Sequence, residues 1–224
     1  MAALLEVESL HKTYPDATRR VEVLKGADLS VEPGEFISIE GPSGSGKTTL
    51  LLILGGLLQP TRGTVCIDEE DVYRLTVDRR ARFRAGHIGF VFQEFHLLPY
   101  LTVLENVLAA SLARRTDNVR DRAHELLSRL GLSDRMDHKP RSLSTGERQR
   151  TAFARAMLNQ PRLILADEPT GNLDQANSAM ALGCLADFAG EGGSVILATH
   201  DPLAAEHAHR VLNLADGKLH QSQA

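Results

Sequence analysis

Cysteine is nearly absent from this 224-residue chain: Cys66 and Cys184 are the only two. They are too few for a disulfide framework, and their scarcity points to a reducing compartment. Neither has a Cys, His or base beside it in sequence, so both read as buried or inert thiols. Lysine is scarce as well, five of the 25 basic residues, and the formal net charge is −4. A chain without a basic excess lacks the cationic footprint of a general nucleic-acid binder, so no nucleic acid is expected among its partners. No apolar run approaches the roughly 20 residues that span a bilayer; the longest runs from Leu50 to Leu58. The opening MAALLEVESL has no basic region followed by an apolar segment and does not read as a signal peptide. Internal repeats, heptads and low-complexity linkers are missing too. With 42% hydrophobic residues the apolar content is ordinary, which excludes disorder. A soluble, cytosolic protein with a single core is expected.

What is present begins with strands. The first forty residues alternate apolar and polar positions in LLEVESL and VEVLKGADLSVEPGEFISIE, punctuated by a turn at Pro33-Gly34. That period predicts strands with one buried face, and GTVCIDEEDV repeats it. Three later runs are almost continuously apolar: residues 88–92 (IGFVF), 163–167 (LILAD) and 194–200 (SVILATH). Short runs of this kind suit strands buried on both faces, as in a parallel sheet covered by helices, and predict an α/β core. The middle reads as helical. Thr102 and Glu105 form a capping box that opens a helix through about Ala113. A second helix begins near Asn118, with Val119, Ala123, Leu126, Leu127 and Leu130 on one face and Gly131 at its end. A third opens at the Ser144–Glu147 capping box and stops before Pro161. The tail RVLNLADGKLHQ predicts a hairpin turning at Asp216-Gly217. The organisation expected is a single domain over 1–224, with a core of 1–93 and 161–224 and a helical subdomain at 94–160.

The chemistry starts after EFISIE, where Gly41, Pro42, Ser43, Gly44, Ser45, Gly46, Lys47 and Thr48 precede the apolar stretch TLLLILGGLL. This is G-x-x-x-x-G-K-[ST] between a strand and a helix, the context that gives it meaning. Its glycines let backbone N–H groups converge on a phosphate, and the helix start adds positive potential. Lys47 is placed to reach the β- and γ-phosphates, and the Thr48 hydroxyl to ligate Mg2+. The loop alone specifies a nucleoside triphosphate and no particular reaction. At the end of LILAD, Asp167 and Glu168 would face the nucleotide, because ligands in open α/β sheets sit off the carboxyl ends of strands. Asp167 can hold Mg2+ through water, and Glu168 can polarise the attacking water. Gln93 ends IGFVFQ, where its amide can reach Mg2+ or that water. His200 ends the last buried strand and can donate to the γ-phosphate, although a structural or solvated histidine fits there too. Asp174, in Gly171-Asn-Leu-Asp174, also suits the N-cap of the next helix.

In order, GPSGSGKT, Gln93, Leu143-Ser144-Thr145-Gly146-Glu147, LILADE, Gly171-Asn-Leu-Asp174 and His200 resemble the motifs of the ATP-binding cassette ATPases. The resemblance runs from about Leu4 to Leu219. It implies a P-loop NTPase fold with a RecA-like core, an antiparallel β subdomain and an inserted helical subdomain. It also implies ATP and Mg2+ as cofactors, ATP hydrolysis coupled to transport, and a head-to-tail pairing with a second copy of the chain. In that pairing each phosphate loop, with Thr49, faces the Ser144–Gly146 segment of the partner. Ser144 suits the physics as an N-cap before a helix start that offers free N–H groups. By resemblance, Tyr14 stacks on adenine, Gln93 couples the centre to an integral membrane permease, and His200 holds the γ-phosphate. The protein would then work at the cytoplasmic face of the inner or plasma membrane. ADEPTGNLD looks most like the group handling lipoprotein release, macrolide or peptide export, antimicrobial-peptide sensing and cell-division signalling. The alternative is a soluble cassette ATPase acting on nucleic acid, ribosomes or iron–sulfur assembly.

Two residues depart from the family's usual LSGGQ. Thr145 adds a Cβ near the partner's phosphate, and Glu147 brings a negative charge towards an anion, from which a weaker ATP-bound dimer is expected. The loop after Asp68 reads EED where a glycine turn is common. Glu206, His207 and His209 are spaced wrongly for a metal on one helix face and read as a solvated helix. Arg79, Arg80, Arg82 and Arg84 form either a solvated face or a docking patch.

Overall fold

The protein's computed structural model describes residues 2–15, 20–114 and 117–221. The early alternating segments build one antiparallel sheet, except for residues 36–40, which join the second sheet between parallel neighbours and are buried on both faces instead of one. Strand β1 (Leu5–Pro15) pairs with β2 (Arg20–Val31) from Leu5↔Val31 to Pro15↔Arg20, and with β4 (Arg62–Ile67) on its other side. A two-residue strand β5 (Glu70–Asp71) closes the order β2-β1-β4-β5. The turn between β4 and β5 uses Asp68 and Glu69 at φ 51° and 65°. A tight hairpin requires this left-handed backbone, and it is taken here without glycine.

The second sheet has the order β10-β9-β3-β8-β7-β6. Strands β3 (Phe36–Glu40), β6 (Ile88–Phe92), β7 (Leu163–Asp167), β8 (Ser194–Ala198) and β9 (Arg210–Ala215) run parallel, and β10 (Lys218–Gln221) returns antiparallel after Asp216-Gly217. β8 is buried along its whole length, and β3 and β7 at every position but their last. Helices on both faces explain the continuous apolar runs. Helix α1 (Lys47–Leu54) joins the core shared with the antiparallel sheet, and α6 (Gln175–Gly190) supplies Ala181, Leu182 and Leu185 to the opposite face. Because β3, β7 and β8 run in one direction, the residues that follow each of them gather at one end of the sheet.

Between β6 and β7 lie α3 (Val103–Leu108), α4 (Val119–Arg129) and α5 (Thr145–Met157). They bury their own apolar cluster, including Val103, Leu104, Val107, Ala123, Leu127 and Leu143. Both capping boxes form: Thr102 with Glu105, and Ser144 with Glu147. The helix expected through Ala113 changes character at Ala109, after which it tightens to a 3-10 helix as far as Ala113.

Helix α2 (Val77–His87) has no apolar periodicity, since Gly86 is its only buried residue. Two of its arginines are structural instead of solvated. The Arg80 guanidinium lies 4.9 Å from the centre of the Tyr73 ring, and Arg84 Nη1 donates to Gly56 O at 3.3 Å. The helix expected at Glu206–His209 is also different. A 3-10 helix covers Pro202–Glu206, and His209 Nδ1 accepts from the Phe36 backbone N–H at 2.9 Å. A histidine outside the helix thus satisfies the first amide of β3.

Candidate functional site

The strand β3 ends at Glu40, and the chain curls through residues 41–46 before α1 starts at Lys47. Ser45 N donates to Pro42 O at 3.1 Å and tightens the curl. Gly46 is the N-cap of α1 at φ 106°, with no side-chain hydrogen bond to the helix start. A Cβ at Gly46 would stand 2.6 Å from Val23 Cγ1, so both the backbone angle and the space exclude a side chain. The first N–H groups of α1 are therefore left to an external acceptor, at the positive end of the helix dipole.

A cleft of about 330 Å³ opens over this loop, lined by Val23, Ser43, Gly44, Gly46, Lys47, Thr48, Thr49, Asp167 and Glu168. Two segments far apart in sequence meet there because α1 packs against β7 and β8. Lys47 Nζ donates to Gly41 O at 2.7 Å and lies 3.8 Å from Glu168 Oε1. His200 Nδ1 is 2.9 Å from Glu168 Oε2. Glu168 stands at φ 45°, a left-handed angle that costs energy for a residue with a Cβ, and its N–H donates to Ala198 O at 2.8 Å. One carboxylate thus lies between the loop lysine and the histidine that follows β8.

Asp167 sits deeper. Its Oδ1 is buried without a hydrogen-bond partner, as is the Ser45 hydroxyl. Burial pushes the Asp167 carboxyl up from its usual range, and the Glu168 charge adds to that, while the Thr48 hydroxyl and Lys47 pull it back. A buried carboxylate oxygen with nothing to accept from, beside a threonine hydroxyl, fits a hard cation that prefers oxygen ligands.

Other residues singled out from the sequence lie around this centre. The Tyr14 hydroxyl is 3.4 Å from Thr49 Oγ1, and Lys12 Nζ stands 5.0 Å from the centre of its ring. Gln93 is exposed and is not part of the cleft lining; its amide faces Gly171, where a Cβ would come within 2.8 Å of Nε2. Asp174 caps α6 by accepting from Asn177 N at 2.8 Å, and both its oxygens accept from Asn177 Nδ2 at 2.9 Å. Ser144 and Gly146 begin α5, away from the cleft. Sequence reasoning passed over Val23, which walls the phosphate loop, and Asn177, whose Oδ1 would be 2.1 Å from a Cβ on Gly146. It also missed Arg135, whose Nε donates to Glu147 Oε1 at 2.7 Å. Only the alternation of β2 hinted at Val23. Nothing local marked the other two, whose contacts are made in the folded chain.

Among the described residues, no cluster of three or more His, Cys, Asp or Glu side chains could hold a metal by themselves, and no helix is long and apolar enough to cross a membrane. Cys66 and Cys184 are free thiols, both held above their usual pKa, chiefly by burial.

Comparison with known proteins agrees with this geometry. A profile described as ABC transporter matches residues 24–171. The ABC transporter ATP-binding protein YvrO of Bacillus subtilis is 44% identical over 218 residues, 96% of this chain and 95% of that one. The macrolide export ATP-binding/permease protein MacB of Syntrophobacter fumaroxidans is 46% identical over 219 residues. That alignment takes in 96% of this chain and 31% of MacB, so the chain spans about a third of that relative. Among solved structures, the post-hydrolysis dimer of the ATP-binding cassette MJ0796 with ADP and Pi superposes with a TM-score of 0.90 at 38% identity, covering 98% of this chain and 97% of that one. On this profile match, these identities and this superposition, the chain belongs to the ABC transporter family and is an ATP-binding, ATP-hydrolysing cassette.

Proposed function

We propose that the cleft over residues 41–49 binds ATP with Mg2+, and that Glu168 activates the water that attacks the γ-phosphate. The observation that carries this reading is the meeting of Lys47 and His200 on the Glu168 carboxylate, with Asp167 and its unpaired oxygen next to it. The N–H groups from Gly44 to Thr49 cradle the phosphates, and Lys47 neutralises the β- and γ-oxygens. Tyr14 provides an aromatic surface for adenine. Thr48, Asp167 and Gln93 are the residues that would hold Mg2+, which when bound offsets the phosphate charge. Glu168 accepts a hydrogen bond from the water as its oxygen attacks phosphorus, and His200 donates to the γ-phosphate as charge moves to the leaving ADP.

Neither Ser144 nor Gly146, at the start of α5, lines this cleft. We assign Ser144 and Gly146 to the ATP bound by a second copy, arranged head to tail, with Asp174 at the same seam. Support comes from MJ0796, a dimeric cassette described in a post-hydrolysis state with ADP and Pi. MacB joins an ATP-binding region to a permease in one name. A permease partner for this chain follows by analogy, and with it a position at the cytoplasmic face of the inner or plasma membrane. The test is phosphate release by the purified chain with and without Mg2+, beside its Glu168→Gln form. Turnover that needs Mg2+ and disappears in Glu168→Gln supports the assignment; turnover that survives the substitution refutes the role of Glu168. Recovery with membranes only when a permease is co-expressed supports transport, and recovery with ribosomes or nucleic acid argues for a soluble role.

A further inference from the structure

The first turn of α5 contains a carboxylate, Glu147, on the same helix start that the proposed function sets against the second copy's ATP. A free negative charge there would oppose a triphosphate. The carboxylate is not free. Its Oε2 accepts from Ser144 N at 2.7 Å, while Ser144 Oγ accepts from Glu147 N at 3.2 Å. Its other oxygen, Oε1, accepts from Arg135 Nε at 2.7 Å. Bonds from Arg135 and Ser144 hold the Glu147 carboxyl down at about 2, so it stays ionised and paired at neutral pH.

Arg135 is itself fixed. It ends the 3-10 helix Ser133–Arg135, donates its N–H to Leu132 O at 3.0 Å and accepts from His138 N at 2.9 Å. His138 O and Met136 O in turn accept from Val103 N and Leu104 N, tying the segment to the start of α3. The guanidinium therefore comes from a second, independently anchored element, which sets its charge against Glu147.

We propose that Arg135 is a positioning residue for ATP-driven pairing: it pins the Glu147 carboxylate into the cap and cancels its charge, so that the start of α5 still accepts the partner's phosphates. The inference rests on the head-to-tail reading above. It replaces the expectation that Glu147 by itself weakens the ATP-bound dimer. It assigns Arg135 no contact with ATP. Removing the arginine should expose the charge. Removing arginine and charge together should not, because Glu147→Gln keeps an amide oxygen to accept from Ser144 N and so preserves the cap.

Sedimentation velocity on the Glu168→Gln chain with ATP and Mg2+ tests this. Arg135→Ala in that background should weaken dimerisation about tenfold, the scale of one lost charge-assisted pair. Arg135→Lys should recover part of it, and Arg135→Ala with Glu147→Gln should return to within about twofold of the parent. ATP affinity of the dilute single chain should stay unchanged in all of them, since the phosphate loop belongs to the core. An unaltered dimer in Arg135→Ala, or a double variant as weak as the single one, overturns the role given to Arg135. Parent Glu168→Gln chains that remain monomeric with ATP overturn the head-to-tail reading and this inference with it. Thermal melts of each variant separate weakened pairing from a misfolded helical lobe: a fall in melting temperature that tracks the loss of pairing would also count against the proposal.

Discussion

At the start of α1 the cap is Gly46, left-handed and without a side-chain bond; at the start of α5 it is Ser144, inside a complete capping box buttressed by Arg135. Both are helix N-termini, yet one has no side-chain cap and the other satisfies the Ser144 and Glu147 N–H groups with its own residues, leaving those between them free. Beside α1, Asp167 Oδ1 and Ser45 Oγ are buried and unpaired at the loop itself, whereas the buried unpaired atoms of α5, Arg148 Nε and the Gln149 amide, lie past its cap. Around α5 the charges cancel within the chain. The first region is built to be completed by a ligand, so its stability is sacrificed to function. The second has its capping residues paired within the chain, which suits a surface meant to meet another molecule. In the head-to-tail pairing proposed above, the two helix starts would be the unequal halves of one composite site.

Substitutions can break or sharpen this contrast, and the largest effects belong to the unfinished half. Glu168→Gln should lower ATP turnover by roughly 10²- to 10⁴-fold, the range for a lost general base, while ATP binding persists. Retained turnover in a phosphate-release assay would remove Glu168 from the chemistry.

Asp167→Asn should separate activity from stability. Turnover should fall at least about 10²-fold. The chain without ATP and Mg2+ should become more stable by about 1–2 kcal/mol, because a buried, poorly paired charge is gone. The sign in pH follows from the raised carboxyl. The folded state holds its proton more tightly than the unfolded one, so wild-type stability falls as pH rises through the folded pKa. The gain from Asp167→Asn should therefore grow as pH rises through the folded pKa and shrink in acid. Calorimetry across pH checks it, and a destabilised variant at pH 7 would contradict the account.

At the finished half, Gly146→Ala would push a Cβ to 2.1 Å from Asn177 Oδ1, an amide already clamped by Asp174. A loss of about 1–3 kcal/mol is expected in chemical unfolding. Asn177→Ala in the same chain should restore most of it. No recovery would mean that the backbone, and not Asn177, sets the need for glycine.

The smallest effect is expected at Thr102→Ala, which deletes the cap of α3 but touches neither half. About 1 kcal/mol of stability should be lost, with turnover per folded molecule unchanged. A large loss of turnover would show that α3 participates in the site.

Much of this was legible because it is local. The phosphate loop, both capping boxes, the Asp216-Gly217 hairpin and the Asp174 cap depend on residues within a few positions of one another. Strands β6, β7 and β8 declared themselves through continuous apolar runs, whereas β3 read as alternating and is buried at every position but its last, because it lies inside the parallel sheet. Helix α2 did not, because its arginines serve Tyr73 and Gly56 across the fold and leave no apolar stripe to read. The sequence showed Glu147 as a charge turned towards an anion; its neutralisation by Arg135, twelve residues away in chain order, exists only once the Ser133–Arg135 turn meets the start of α5. Gln93 was expected at the metal; its amide faces Gly171, a contact across the fold that its place at the end of β6 did not announce. Local chemistry announces the half that binds phosphate, and tertiary contacts define the half that closes on it.

Mixing two inactive chains tests the central claim most directly. One bears Lys47→Ala, which spoils its phosphate loop, and the other Ser144→Arg, which blocks its α5 start. If each site takes one half from each copy, the mixed dimer holds one site with both halves intact. ATP turnover should then reappear on mixing and vanish again on dilution below the dimerisation range. A mixture as inactive as its components would contradict a site shared between two chains.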